Sequence, residues 1–562
     1  MFNFSNKKTK YYNDGSRYVG SFYNAKRHGY GDYYYANGNV YNGNWENGVK
    51  HGYGIMYYSA DGCRYEGNWV DGKRSQEGIL YYPSGARIDG YWKDDKPYSA
   101  EFYYANGEKY IGDLRDFKRD GKGVYYYNNG NVFEGFYYKN QKTKGVTYYS
   151  NGNETHGKYK DDKLCGIAKS YKQDGSVWHC YYNYGTFELV RIAYPSNDIY
   201  EGSVSDSVPN RSGAMYYNDN EVYKGTWKDG KWHGYGFFNM NDRSRYEGQF
   251  ANHKFHGLGT YYYNNGDRYE GYFKEGFMSG FGTYRGEDSH IFYGYYENDL
   301  LNGFGYEFIG NTRYIGYYKD SLFHGFGEFV KEDIKYIGEF KEGKEHGRGA
   351  VFQNGQLKFT GIFEDGIFLR QQVLDEDFIE KMKVFLNEEL RPINFKKYDG
   401  AFFFGKIVNG LRHGYGCLEF DDGRKFIGRW ENDVLIEAVG YTSDGKKYIG
   451  NFTDGRFTGY GMKLINSNNN TFSNVYPATD VMIGEFIDLV PNGLCFEFYS
   501  DGNYERQTWQ NKKITKIVRL DKNKSLIISN VVDGEIHGTC IFIDSNDEEL
   551  YEFKYHYGVL EK

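Results

Sequence analysis

Tyr223-Lys-Gly225-Thr-Trp227-Lys-Asp-Gly230-Lys-Trp-His233-Gly234-Tyr-Gly236 begins again 23 residues later as Tyr246-Glu-Gly248-Gln-Phe250, with His256-Gly257-Leu-Gly259. After another 23 residues it returns as Tyr269-Glu-Gly271-Tyr-Phe273, with Gly280-Phe-Gly282. A fixed period in this range marks a stack of small structural units and decides the fold before any residue is read for chemistry. Within a copy the first ring, the Gly and the second ring alternate with polar residues at period two, the sign of a strand with one buried face. Asn-Gly and Asp-Gly pairs fall between such strands, as at Asn37-Gly38, Asn47-Gly48, Asp71-Gly72 and Asp229-Gly230. They suit the positive φ of tight turns, so each copy reads as one β-hairpin. The two later glycines share the parity of the rings, and a bare backbone there leaves room for a ring to lie flat.

Working outward, copies marked by the Gly of Tyr-x-Gly run from Gly20 through Gly43 and Gly67 to Gly361 at steps of 22 to 24 residues, about sixteen in all. The weakest is marked by Cys180, where Trp178 holds the Tyr position and Leu189 and Arg191 replace both later glycines; the array is expected to bend there. After Gly361 the pattern changes. Leu374, Phe378, Met382, Phe385 and Leu386 recur at helical spacing over 374–390, Asp375, Glu376 and Asp377 fall in the first turn, and Pro392 stands just beyond the end. A helix lying across the sheet end would cap the first array and join it to a second; Leu374, Phe378, Met382 and Phe385 are its capping or partner-binding residues. The second array starts at Gly405, with His413-Gly414, and continues through Gly428 and Gly450. Asn466-Ser-Asn-Asn-Asn470 reads as an exposed loop. The expected organisation is a leader (1–17), a repeat array (18–369), a helical cap or linker (370–397), a second array (398–465), an Asn-rich insertion (466–476), and eroded repeats with a terminal cap (477–562).

Composition narrows the class. The 562 residues include 75 Gly, 64 Tyr and 42 Phe but only 7 Pro, so aromatic rings must supply the buried surface, and such a chain is not disordered. A net charge of −7 with both signs interspersed provides no broad cationic field for nucleic acid. No stretch approaches the roughly 20 apolar residues of a membrane-spanning helix, and the start has no signal-peptide run, which predicts a cytoplasmic protein. Six cysteines without a Cys-x-x-Cys pair read as isolated reduced thiols.

The unit Tyr-x-Gly-x-(Trp/Phe), continued by Gly-x-x-His-Gly-x-Gly, is set by Tyr41, Gly43, Trp45, His51, Gly52 and Gly54 and again by Tyr223, Gly225, Trp227, His233, Gly234 and Gly236. It resembles the MORN repeat (membrane occupation and recognition nexus). The resemblance covers 18–368 strongly and 398–562 with decay. It implies an all-β fold, an elongated, twisted single-sheet solenoid of β-hairpin repeats, interrupted here by one α-helix. It also implies a non-catalytic scaffold for protein assembly, with other proteins or a second copy as partners, in cytoskeletal, ciliary or cortical structures. The alternative it implies is a peripheral module that binds acidic phospholipids such as phosphoinositides and regulates a lipid kinase. Family members that are enzymes carry a separate catalytic domain, for which these residues leave no stretch.

Chemistry has little foothold. Histidines repeat at one position (His28, His51, His233, His256, His324, His346, His413 and His537), but equivalent side chains two strands apart stand about 9 to 10 Å from one another, too far for shared metal bonds of about 2 Å. Gly440-Tyr-Thr-Ser-Asp-Gly445-Lys446-Lys447 approaches a phosphate loop but lacks the Ser or Thr after the first Lys and a following helix. No cofactor, metal or catalytic residue is expected. Basic clusters at Lys7 to Lys10, Lys139 to Lys144 and Lys512-Lys513 read as solvated surface.

Overall fold

The computed structural model describes residues 7–386, 394–465, 480–546 and 548–561. The Asn466 to Asn470 loop, Pro392 and the last residues of the expected helix lie outside them. The described residues form 49 strands and one α-helix, in antiparallel sheets of hairpins. Strands Val40–Glu46 and Val49–Tyr57 are typical: Asn47 (φ 50°) and Gly48 (φ 94°) form the two-residue turn, and Gly43 lies opposite Gly54. Tyr41 is fully buried, and its ring lies across Gly54, where a Cβ would stand 2.2 Å from the Tyr41 Oη. The hydroxyl donates to the Asn44 carbonyl at 3.0 Å. Trp45 meets the ring edge-on at 5.2 Å and Trp69 of the next copy does so at 5.4 Å, while the Trp69 Nε1–H donates to the Gly54 carbonyl at 3.2 Å. Each copy is thereby completed by its neighbour, which a lone hairpin needs for stability.

The same arrangement repeats at Tyr223, where Gly225 and Gly236 lie beneath the ring and Trp227 meets it at 5.2 Å, and at Tyr246 and Tyr269 with Phe250 and Phe273. One detail differs from the sequence reading. Only the second of the two later glycines makes room for a ring. The first, Gly52 in this copy, sits at φ 71° beside the bulge that shifts register between Gly43 and Trp45, and its nearest neighbour is the Asn44 Cβ at 3.4 Å. Left-handed backbone, rather than space, selects glycine there.

The chain divides into two units, Met1–Glu188 with Asn546–Leu550, and Leu189–Ser545 with Tyr551–Lys562. The division falls in the degenerate copy marked by Cys180. In the first unit, strands from Lys8–Tyr11 to Val177–Asn183 pair each with the next. One face, the ring face, carries the Tyr-Trp ladder. The opposite, outer face carries Asn42, Glu66, Asp89 and Val124 in one row and Tyr53, Tyr91, Lys122 and Phe136 in another.

In the second unit the hairpins form two layers whose outer faces meet. Tyr293 stacks on Phe404 at 3.9 Å, Tyr272 meets Tyr415 at 4.6 Å, and Phe281, Ile315, Ile337, Cys417 and Ile427 are buried with them. The helix α1 (Glu376–Leu386) belongs to this seam. Asp375 caps it by accepting from the Phe378 N–H at 2.9 Å and is held by Arg348 at 2.8 Å. Phe378 meets Phe326 at 5.1 Å, Phe385 meets Phe326 at 5.2 Å, and Leu374 and Met382 pack partly buried beside them. The helix therefore lies on a sheet face, instead of across a sheet end, because its Phe378 and Phe385 stripe finds outer-face rings there.

Candidate functional site

The residue just before the template histidine position changes character along the array, between Lys142 and Leu164 of the first unit, and is a ring-seated cation again at Arg412, 4.4 Å over Trp430 and bound to Asp433. It is Arg27, Lys50, Arg74, Pro97, Arg119 and Lys142 in the first six copies, then Leu164, Phe187, Pro209, Trp232, Phe255, Met278, Leu301 and Phe323. In the second unit these apolar side chains stack on the repeat tyrosines, Trp232 on Tyr223 at 4.6 Å and Phe255 on Tyr246 at 4.1 Å. In the first unit the cations lie over the next copy's second ring: Arg27 over Trp45 at 4.2 Å, Lys50 over Trp69 at 3.5 Å, Arg74 over Trp92 at 4.6 Å and Arg119 over Tyr137 at 4.9 Å. Lys142 stands among Tyr127, Phe133 and Tyr159 at 4.7 to 5.4 Å. Ring faces attract such charges without neutralising them.

Arg74 is bound to Asp95, and Arg27 and Arg119 donate to the Gly48 and Asn140 carbonyls. Among the described residues, no carboxylate pairs with the ammonium groups of Lys50 or Lys142. At the Lys142 end a groove of about 390 Å³ opens, lined by Tyr127, Lys142, Tyr149, Tyr159, Asp162 and Tyr182. Burial pushes the Lys50 amine down to about 8, whereas a solvated lysine titrates near ~10.4. In dimethyl-lysine NMR, Lys50 is expected to titrate near 8 and apart from the other lysines. Between that value and the ordinary one the folded state binds fewer protons than the unfolded chain, so the Lys50 contribution makes the protein more stable as pH rises through this window. Titration of Lys50 with the bulk of the lysines would show that its amine is solvated.

The second unit holds its charges inside. Lys447 bonds Glu247 at 2.6 Å, and both side chains are 0% exposed. Lys447 also donates to the Tyr262 hydroxyl at 3.2 Å, and Arg245 lies 3.9 Å over the Tyr262 ring and 3.1 Å from Glu247. One copy further on, Lys425 bonds Glu270, which also accepts from Tyr441 at 2.6 Å, and Arg285 bonds Glu419. Burial alone would raise the Glu247 and Glu270 carboxyls, but Lys447 and Arg245 at the first, and Arg268 and Lys425 at the second, hold them below the usual carboxylate range. These rungs fix one register between the layers.

Eleven stretches match the MORN repeat family model: 18–40, 41–64, 65–87, 110–132, 223–245, 246–268, 269–291, 314–333, 336–355, 403–423 and 448–468. The chain is a MORN-repeat protein. No curated protein matches it. Among solved structures, it is similar at 14% identity and a TM-score of 0.17 to the SAS-4 (dCPAP) TCP domain of Drosophila melanogaster in complex with a proline-rich motif of Ana2 (dSTIL), covering 35% of this chain and 90% of that one. A catalytically inactive virginiamycin B lyase from Staphylococcus aureus with quinupristin is similar at 11% identity and a TM-score of 0.10, over 42% and 92% of the two chains. Neither likeness supports a functional reading.

The MORN positions read from sequence are hairpin and ring positions. His51 lies 3.3 Å from Glu46, and the His233 carbonyl accepts from Thr226. Among the described residues no three His, Cys, Asp or Glu side chains gather to hold a metal ion, and no helix is long and apolar enough to cross a membrane. Sequence reading missed both the ring-face cations and the buried rungs. The first were detectable as a basic residue recurring at the repeat period; the second required knowing which layer covers which.

Proposed function

We propose that this MORN-repeat protein is a non-catalytic scaffold for protein assembly in a cytoskeletal, ciliary or cortical structure, with the ring face of the first unit holding carboxylate-bearing segments of partner proteins. The row of ring-seated cations ending in the groove at Lys142 carries this reading. A lysine held on aromatic rings loses little entropy when it meets an anion, and the cations, interrupted at Pro97, stand about 10 Å apart from copy to copy, a spacing that an extended acidic segment can follow. The second reading, a peripheral module for acidic phospholipids, draws on the same cations, because a lipid phosphate offers similar chemistry.

Proximity labelling with the tagged full chain tests the first reading. Wild type is expected to label a defined set of proteins at one cellular structure, and Lys50→Glu with Lys142→Glu to lose most of that set while the protein remains folded. Flotation with phosphoinositide-bearing vesicles tests the second. Binding that survives physiological salt and disappears in the same variant would put the lipid reading first.

A further inference from the structure

The ring ladder of the first unit gives way to a small polar residue at one copy. The position that is Tyr41, Tyr65, Tyr110 and Phe133 in earlier copies is Thr155, and the position of Phe102 and Tyr125 on the preceding strand is Thr147. The two threonines stand opposite each other, and Ser170 stands opposite Thr155 on its other side. In a complete copy the second rings close on the first from both sides, as Trp45 and Trp69 close on Tyr41 at 5.2 and 5.4 Å. The corresponding second rings here are Tyr159 and Tyr182, and where a ring would separate them the chain has Thr155. Tyr159 meets Phe133 of the preceding copy edge-on at 5.4 Å, but Thr155 supplies no ring for its other side, and its hydroxyl lies 3.2 Å from the Thr147 Oγ1. Leu164 fills the depth of the gap, its Cδ2 2.6 Å from where a Cβ on Gly157 would stand. Above it lies the groove of about 390 Å³, lined by Thr147, Tyr159, Leu164 and Tyr182 among others.

We infer that this groove seats an aromatic side chain of a partner protein, next to an acidic residue of the same segment that meets Lys142. This rests on the scaffold reading and names what its acidic segment carries at the groove. The fold itself shows how a ring sits at this place. In the second unit the chain supplies rings that stack on repeat tyrosines, Phe255 on Tyr246 at 4.1 Å and Phe323 on Tyr314 at 3.8 Å. At the groove it supplies only Leu164 at that repeat position, so an incoming ring finds Tyr159 and Tyr182 to pack on as it leaves water. Polar groups set the direction of the segment. The Lys142 ammonium stands 4.7 to 5.4 Å from the rings of Phe133, Tyr127 and Tyr159, and among the described residues no carboxylate pairs with it. Asn129 and Asn131 line the same end and spend their side-chain oxygens on the Asn131 and Ser150 N–H groups at 3.1 and 3.0 Å, which leaves amide N–H donors for an anion. Asp162, at the opposite end, accepts from the Lys142 backbone N–H at 2.8 Å and repels an acid. The acid therefore lies toward Asn129 and Asn131 and the ring over Thr147. A lipid phosphate satisfies the cation but brings no ring, so the groove favours a protein side chain over a headgroup.

Isothermal titration of the full chain with the peptide Gly-Ser-Phe-Glu-Glu-Ser-Gly is the test, beside the same peptide with Leu for Phe, the same peptide with Gln for both Glu, and phenylacetate. The parent peptide is expected to bind with a Kd below about 1 mM, at least about fivefold tighter than the Leu peptide and about threefold tighter than the Gln peptide. Thr147→Phe, which puts the ring of Phe102 back at this repeat position, should weaken the parent peptide at least about fivefold with unchanged circular dichroism. Lys142→Gln should erase the preference for Glu over Gln. Equal binding of the Phe and Leu peptides overturns the inference, as does undiminished binding to a folded Thr147→Phe. Phenylacetate binding as tightly as the parent peptide also overturns it, by assigning the groove to small aromatic acids. The peptide comparison on wild type decides the matter even where Thr147→Phe does not fold. Phe and Leu peptides that bind equally, and are both lost in Lys50→Glu with Lys142→Glu, would sink the ring socket alone and leave the acidic-segment reading standing. A Phe peptide that binds equally well with Gln for Glu would overturn the pairing with Lys142, and with it the acidic-segment reading at this groove.

Discussion

Lys447→Met is expected to destabilise the second unit by about 3 to 5 kcal/mol, read from chemical denaturation followed by second-unit tryptophan fluorescence or by hydrogen exchange. The side chain is completely buried, and so is its partner Glu247 at 2.6 Å. Removing the ammonium leaves a carboxylate in the seam between two layers, with Arg245 at 3.1 Å already engaged on the Tyr262 ring. Replacing both partners has the opposite expectation. Glu247→Leu with Lys447→Met removes both desolvation costs and should fall within about 1 to 2 kcal/mol of wild type, since apolar side chains of similar volume can replace a buried ion pair at little net cost. A single variant as stable as wild type would show that water reaches Glu247.

The pH dependence should change sign with the single substitution. In wild type the Glu247 carboxyl is held below its ordinary value, so its contribution to stability is present above the unfolded value of ~4.3 and is lost as pH falls through the depressed folded value. In Lys447→Met, burial dominates and raises the carboxyl above its unfolded value. That contribution is then largest at low pH and declines as pH rises through the raised value. Denaturation midpoints measured from pH 4 to 8 should therefore slope downward in the variant relative to wild type.

The hairpins, turns and ring-on-glycine packing were legible because each repeats at a fixed offset, and a pattern copied many times shows through local noise. Tyr41, Gly54 and Trp69 could be placed relative to one another from spacing alone. The pairing of outer faces could not. Lys425 and Lys447 look like surface lysines beside a hairpin turn, and only the second layer, carried back through α1, shows that they point inward. Phe378 and Phe385 were visible as a helical stripe, yet a stripe specifies that it is buried and not against what. The switch from Lys142 to Leu164 was in plain view at one repeat position. Reading each copy for what it shares with the template hides what changes along the array, and the candidate binding face lies in that change.

Gly259→Ala should be among the most damaging single-methyl additions in the second unit. The backbone at Gly259 is not left-handed, so alanine meets no conformational strain there, and the effect is one of space. An added Cβ would stand 2.2 Å from the Tyr246 Oη and 2.4 Å from its Cζ. The ring has nowhere to go: Phe255 stacks on it at 4.1 Å, Phe250 and Phe273 meet its edges at 5.0 Å, and its hydroxyl donates to the Gln249 carbonyl at 3.0 Å. Either the strands separate or the ring leaves a fully buried site, and losing such a ring costs about 3 to 5 kcal/mol. Gly276→Ala is the contrast. Nothing lies within 4 Å of that Cβ and only its φ of +97° resists substitution, so a cost of about 1 kcal/mol is expected. Tyr246→Leu already abolishes the ring packing, and on that background Gly259→Ala should cost at least 1 kcal/mol less than it does alone. Because copies contact only their neighbours, hydrogen-exchange protection should fall first in strands Arg245–Ala251 and Lys254–Tyr262 and in the strands on either side. Strictly additive costs in the double variant would mean that the methyl and the ring do not compete for the same space.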